Sequence, residues 1–270
     1  ACQERQTREL RTCEGAGIMA QVICCYKNIL ETSTVTLSAG TEDSNYPLYR
    51  LYDRDIGKVF KTTAAITTEI KIDQGASGNL AVDRLLIPAG HNLNGMTLDI
   101  KWSDDDVSYT PAVTQWVQSG SGLINKNWSS ITHRYWKFII TTPASIPQFT
   151  ELFLTQSYTW EQNPQIPWGP FDDEFNVEND MDSGGYDRFL TFGNPKKQRV
   201  YSVYKCEDTQ KTNILSLNDA WAKAKPFWLC DHDSVWIYGK LRNPISIKEE
   251  DENESGGLYS FDFDFLEVVP

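Results

Sequence analysis

Between residues 20 and 160, short apolar runs alternate with turn-forming residues, and this rhythm restricts the possible folds more than any other feature. Ile70 and Ile72, then Val82, Leu85 and Ile87, put apolar side chains at or near every second position on either side of a Gly-containing turn at 74–79. That pattern predicts strand, turn, strand. Tyr135, Trp136, Phe138, Ile139 and Ile140 form an aromatic and β-branched run too short for a helix and closed by Pro143, which predicts a buried strand. Further turn signals at 38–40, 43–45, 92–95, 103–106, 119–122 and 143–147 leave room for strands and little room for helices. A β-sandwich is the expected architecture here.

At 270 residues the chain is long enough for two domains, each with its own core. Charge and composition place the division. Residues 161–270 hold 21 acidic against 11 basic side chains, 19–160 hold 13 against 11, and the first 18 balance. The prolines at 164, 167 and 170 form a stiff connector. The division is therefore an N-terminal extension or arm at 1–18, a sandwich domain at 19–160, a Pro-rich connector at 161–175 and a smaller, mostly β, α+β domain at 176–270.

In the last of these, Ile214, Leu217 and Trp221 recur at helical spacing ahead of Pro226, predicting one helix. Near the C-terminus Tyr259, Phe261, Phe263 and Phe265 alternate with Ser260, Asp262 and Asp264. This predicts a strand with one buried face.

Several function classes lose support on composition alone. A net charge of −12 without a basic stripe argues against nucleic acid and anionic membrane, which need clustered Lys and Arg. No apolar run approaches the ~18 residues of a membrane-spanning helix, so no membrane insertion is expected. The N-terminal 22 residues are charged and lack the apolar core of a secretory signal. Six cysteines, Cys2, Cys13, Cys24, Cys25, Cys206 and Cys230, show no C-x-x-C pairing and read as free thiols.

Catalysis has little to stand on. No nucleophile elbow, zincin, P-loop or dinucleotide phrase occurs, and three histidines supply few general bases. Asp172, Asp173 and Glu174 are the carboxylates to consider for a glycosidase pair, but they fall on the connector. Asp104, Asp105 and Asp106 are calcium candidates by oxygen count, in a run that lacks the Gly and distal Glu of an EF-hand loop. Neither a metal nor a cofactor is expected. His133, Arg134 and the 231–234 "DHDS" phrase read as structural, the last as a hairpin turn.

The phrases "TTEIKIDQGASGNLAVDRLLIPAGHNL", "LDIKWSDDDVSYTPAV" and "HRYWKFIIT" resemble, in that order, the discoidin or coagulation-factor type C members of the galactose-binding-like jelly rolls. Gln74 stands where that family usually has an aliphatic residue. The two-part layout, with "KPFWLCDHDSVWIYG" and "LYSFDFDFLEV" in the second half, is similar to tail-associated proteins of tailed bacteriophages and prophages. The resemblance spans about residues 22–268.

It implies a non-enzymatic structural component of a phage tail or tail tip, made in the bacterial host cytoplasm and located in the virion. Its partners would be other virion proteins, with a homo-oligomer in the assembly. The alternative is a carbohydrate-binding module for host-surface glycans, and a hydrolase comes third. For a sugar site, Tyr46, Tyr49, Trp116 and Trp128 are the stacking candidates, with His91 and Asn92 on a loop.

Overall fold

The computed structural model describes residues 21–270 apart from 77–78, 142, 162–163, 165–172, 175–176, 182–186, 192–195, 254–255 and 269–270. The arm at 1–18, with Cys2 and Cys13, and Asp172 of the connector therefore lie outside the described residues. The fold is mainly β, as the alternation predicts, and its first half is a β-sandwich of jelly-roll type.

The front sheet runs Thr34–Ala39, Thr68–Asp73, Tyr135–Thr141, Thr97–Ser103 and Thr110–Pro111, with Trp116–Val117 also on the Thr97–Ser103 strand, all antiparallel. Phe138 sits opposite Ile70 on one side and Ile100 on the other, so the apolar set of each strand lies in one layer. These side chains, with Ile72, Leu98, Trp136 and Ile140, form one core with Val82, Leu85, Ile87, Ile124 and Leu154 of the back sheet. Their neighbours Glu69, Lys71, Asp73, Lys101 and Lys137 point outward and pair there: Lys71 with Asp106, Lys101 with Asp99, Lys137 with Glu69 and Arg134 with Asp73. The outer face of the front sheet is thus largely self-neutralised.

The back sheet has the order Phe153–Thr155, Val82–Ile87, Ile124–Ile131. Here strict alternation breaks, because Leu85, Leu86 and Ile87 are all fully buried. Leu86 and its cross-strand partner Phe153 leave the sandwich core and join Cys25, Trp228 and Tyr238 in a second cluster. The strands Phe153–Thr155 and Val82–Ile87 are thus covered on both faces, while Asn127 and Ser129 of Ile124–Ile131 stay exposed.

What covers the outer face of those two strands is a third layer built from the C-terminal half. Its order is Tyr158–Thr159, Ile23–Cys25, Phe227–Cys230, Trp236–Leu241, Gly256–Glu267, Lys196–Cys206 and Asp173–Glu174, with Ile247–Asn253 also on Gly256–Glu267. Alternate side chains divide between its faces. Ile23, Cys25, Trp228, Trp236 and Tyr238 meet the sandwich, while Val22, Cys24, Leu229 and Ile237 join Phe261, Phe263, Phe265 and the helix residues Ile214 and Leu217. "FWLC" is a continuous apolar run because both its faces are buried.

The helix, Asp208–Ala222, begins a turn before its apolar recurrence, with Asp208 favourably placed in its first turn. Ala224, at φ 50°, ends it ahead of Pro226 in a left-handed conformation, and the Lys225 N–H donates to the Ala220 carbonyl at 2.8 Å. Tyr259, Phe261, Phe263 and Phe265 are buried and Asp262 is exposed, as their alternation predicts. The 231–234 segment is a hairpin turn: Ser234 N–H donates to the Asp231 carbonyl at 2.9 Å, and Asp231 also pairs with Arg199 at 3.1 Å. Cys24, Cys25, Cys206 and Cys230 are free and buried, and burial pushes the Cys25 thiol up to about 12.

The chain crosses between the layers both before and after it forms the sandwich. Ile23–Cys25 precedes the sandwich in sequence yet sits between Tyr158–Thr159 and Phe227–Cys230. Trp160, fully buried, packs edge-on against Tyr201, Phe261 and Phe263. A division at residue 160 therefore passes beside strands that the third layer incorporates.

One backbone position in that layer admits no side chain. A Cβ on Gly239 would stand 2.3 Å from the Leu266 carbonyl oxygen across the sheet. Gly239→Ala is therefore expected to cost about 1–3 kcal/mol, read as a lowered denaturation midpoint at unchanged slope. An unaltered midpoint would show that the strands are not this close.

Candidate ligand-binding cleft

The chain enters the sandwich at Thr34 and leaves it after Thr155, both at the end where Asp73 and Arg84 sit. At the opposite end, loops at 40–47, 61–67, 88–96, 118–123 and 142–151 gather. There a shallow cleft of about 460 Å³ opens, lined by Asp43, Tyr46, Lys61, Asn92, Ser145 and Gln148, with Thr62, Thr63 and Ile146 beside them. Small-molecule pockets typically begin at roughly 300 Å³.

Short backbone pairings hold its walls. Phe60–Lys61 pairs with Gln148–Phe149, whose Phe149 ring meets Phe60 at 5.7 Å. Asp43 N–H donates to the Lys61 carbonyl at 3.0 Å, and Lys61 N–H donates back to Tyr46 at 3.2 Å. The turn carrying Tyr46 is thereby clamped to the strand carrying Lys61. The Lys61 ammonium lies 4.0 Å and the Arg50 guanidinium 5.5 Å from the Tyr46 ring centroid, fixing that ring between cationic neighbours.

Asn92 organises the third wall. Its amide nitrogen donates to the Ile146 carbonyl at 2.7 Å, and its side-chain oxygen accepts from Gln148 N–H at 2.7 Å. Both bonds tie two distant loops together, so Asn92 shapes the cleft as well as lining it. His91 lies behind this wall, 3% exposed. Its Nε2 donates to the Gly122 carbonyl at 2.8 Å and its Nδ1 accepts from Leu93 N–H at 3.2 Å. Both ring nitrogens are used internally, and burial lowers its pKa from the ordinary imidazole value.

The other proposed aromatic positions do not join this lining. Tyr49, 52% exposed, sits on the short helix Leu48–Leu51. Trp116 packs partly against the sandwich core, with Lys126 5.0 Å from its ring and its Nε1 3.3 Å from Gln118. Trp128 lies toward the other end of its strand, donates to the Val82 carbonyl at 3.0 Å and leans on Trp136.

The carboxylates of Asp104, Asp105 and Asp106 diverge at that other end. Asp104 meets His133, whose ring stacks on Trp102 at 3.5 Å. Asp105 accepts N–H bonds from Ser108 and Val107 and a hydroxyl bond from Ser103, which hold its carboxyl down at about 2. Asp106 binds Lys71 and the Tyr109 hydroxyl. Among the described residues no group of three or more His, Cys, Asp or Glu is placed to hold a metal ion. Asp173 and Glu174 form a short strand opposite Lys197 and Lys196.

Sequence reasoning missed Lys61, Asp43 and Gln148. Their convergence depends on pairings only two residues long between segments more than eighty positions apart. The cleft offers one carboxylate, one ammonium, hydroxyls and amides. Among its described lining residues there is no second acid for a glycosidase pair.

No protein-family profile matches the chain, and no curated protein matches it. Among solved structures it is similar to CpGH89CBM32-5 from Clostridium perfringens, solved in complex with GalNAc-β-1,3-galactose, at 13% identity and TM-score 0.40 over 48% of this chain and 100% of that one. It is also similar to chitosan-binding module 1 of a chitosanase/glucanase from Paenibacillus sp. IK-5, at 17% identity and TM-score 0.41 over 48% and 100% of the respective chains. A third likeness is CBM32-1 from a family 31 glycoside hydrolase of Clostridium perfringens, at 18% identity and TM-score 0.40 over 48% and 99%.

His91 gives a pH signature. A folded-state pKa below the unfolded value means that its contribution is complete above the ordinary imidazole range and is lost as pH falls through it. His91→Gln is expected to cost about 1–3 kcal/mol at pH 7. The gap from the parent protein should narrow on acidification, measured by urea denaturation across the pH series. A gap constant with pH would contradict the neutral, internally bonded ring.

Proposed function

We propose that the protein is a non-enzymatic glycan-binding component, with the loop-end cleft as its sugar site. The observation that carries this reading is the convergence of Asp43, Tyr46, Lys61, Asn92 and Gln148, from separate loops, at the sandwich end opposite the chain's entry and exit. A hydroxyl-rich ligand needs paired donors and acceptors at fixed spacing. Lys61 donates, Asp43 accepts and the Gln148 amide does both. Tyr46, steadied by Lys61 and Arg50, supplies a rigid aromatic edge.

A second reading, a structural component of a phage tail or tail tip in the virion, draws on a different observation. The third layer packs on the outer face of the back sheet, so the sandwich is mounted on a platform, and the loop-end cleft is lined by sandwich residues alone. An attachment component would use such a mount, and the two readings combine if the glycan belongs to a host surface. Association of the purified chain with other virion proteins in the particle tests the second reading.

For the first, a glycan array with the full chain, followed by titration calorimetry, is the measurement. Tyr46→Ala and Lys61→Ala are each expected to weaken sugar binding roughly tenfold, while Tyr49→Ala leaves it within a factor of about two. No sugar bound at concentrations of about 10 mM would remove the glycan reading.

A further inference from the structure

A second cleft, of about 340 Å³, lies where the sandwich meets the third layer. Lys27 follows the strand Ile23–Cys25, Arg54 and Leu80 come from the sandwich, and Ser216 and Asp219 lie on the helix Asp208–Ala222, with Lys223 and Lys225 in the turn just beyond it. Both halves of the protein therefore build it.

Its charge runs against that of the molecule. The chain carries −12 overall, yet four cations, Lys27, Arg54, Lys223 and Lys225, line this cleft against two carboxylates, Glu31 and Asp219. Glu31 is already engaged on both oxygens, one by Arg54 and the other by Lys225. Arg54 is engaged through all three of its nitrogens, donating also to the Pro226 and Tyr26 carbonyls. Among the described residues no carboxylate lies within ion-pair distance of Lys27 or Lys223. The Lys27 ammonium lies 5.3 Å from the Tyr26 ring, and Lys223 is exposed.

The ammonium groups of Lys27 and Lys223 share this lining with an Arg54–Glu31–Lys225 cluster that itself keeps one net positive charge, so the cleft holds an excess of cations that an anion would offset. Ser216 and Thr32 add hydroxyl groups to the lining, and Leu80 and Ala220 add apolar wall. The geometry points to an anion-binding site at this junction, for a small ligand with a phosphate or carboxylate head bridged by Lys27 and Lys223. Because the walls belong to different halves, occupation stabilises the joined arrangement by mass action. This site is separate from the loop-end cleft and does not depend on sugar binding there.

The test is calorimetric titration of the full chain at low ionic strength with inorganic phosphate and, separately, with citrate. Lys27→Gln and Lys223→Gln are compared with Lys248→Gln, an exposed lysine on the distant Ile247–Asn253 strand. Each cleft variant is expected to weaken binding roughly three- to tenfold, and the Lys248 variant to leave it unchanged. Binding of phosphate alone assigns a phosphate head, binding of citrate alone a carboxylate, and binding of both a site selecting charge. Absence of binding by both anions at about 10 mM, or affinity unchanged in both cleft variants, would overturn the proposal.

Discussion

Leu86 and Phe153, on the outer face of the back sheet, meet Cys25, Trp228 and Tyr238 of the third layer, and the rest of the architecture depends on this contact. An exposed pair of large apolar residues in mid-sheet would be costly. Burying a side chain of this size is worth about 1.5–3 kcal/mol, and here several are buried together. Around them several polar groups bond across the same seam. Arg54, whose guanidinium lies 4.4 Å from the Phe153 ring, reaches carbonyls of Tyr26 and Pro226, while Asn28 binds the Leu152 carbonyl at 2.9 Å and accepts from Leu30 and Leu154. Arg84 lies 4.8 Å from the Trp236 ring and bonds Ser157 and Asn125. Glu151, fully buried beside this region, has its carboxyl pushed well above the usual range by burial, with Arg54 acting in the opposite direction.

That seam decides which surfaces remain for ligands. Two of the three back-sheet strands are covered, and the front sheet's outer charges pair with one another. The loop end opposite the chain termini of the sandwich is left free, and its cleft gathers donors and acceptors from loops distant in sequence. The junction itself leaves a second, cation-lined cleft because the helix end and the segment after Ile23–Cys25 approach without filling the space between them. Two clefts of different chemistry thus follow from one packing decision.

The sequence carried the periodic parts of this fold well. Tyr259, Phe261, Phe263 and Phe265 fall on one buried face, and Ile70, Ile72, Trp136 and Phe138 on another, because one-sided burial leaves a period of two. Two-sided burial erases that signal. Leu85, Leu86 and Ile87, or Phe227 to Cys230, read as apolar without saying which face meets which layer. Ile23–Cys25 is three residues long and finds its partner some two hundred positions away, a pairing that no local pattern encodes.

The candidate site shows the same divide. Tyr46 and Asn92 were legible as a loop aromatic and a loop amide, and both line the cleft. Lys61 and Gln148 were not, since they reach it through a two-residue strand pair. His91, a loop histidine whose type suits either a ligand or the turn backbone, meets backbone groups with both ring nitrogens. Trp116 and Trp128 looked like free platforms, whereas their rings pack against the core.

The central claim is that sandwich and third layer form one cooperative body through the shared apolar seam. Equilibrium unfolding of the full chain, followed in parallel by tryptophan fluorescence and far-ultraviolet circular dichroism, tests this most directly. The account predicts one transition with coincident midpoints for both probes. Two separated transitions, with one half retaining its structure after the other has melted, would contradict it.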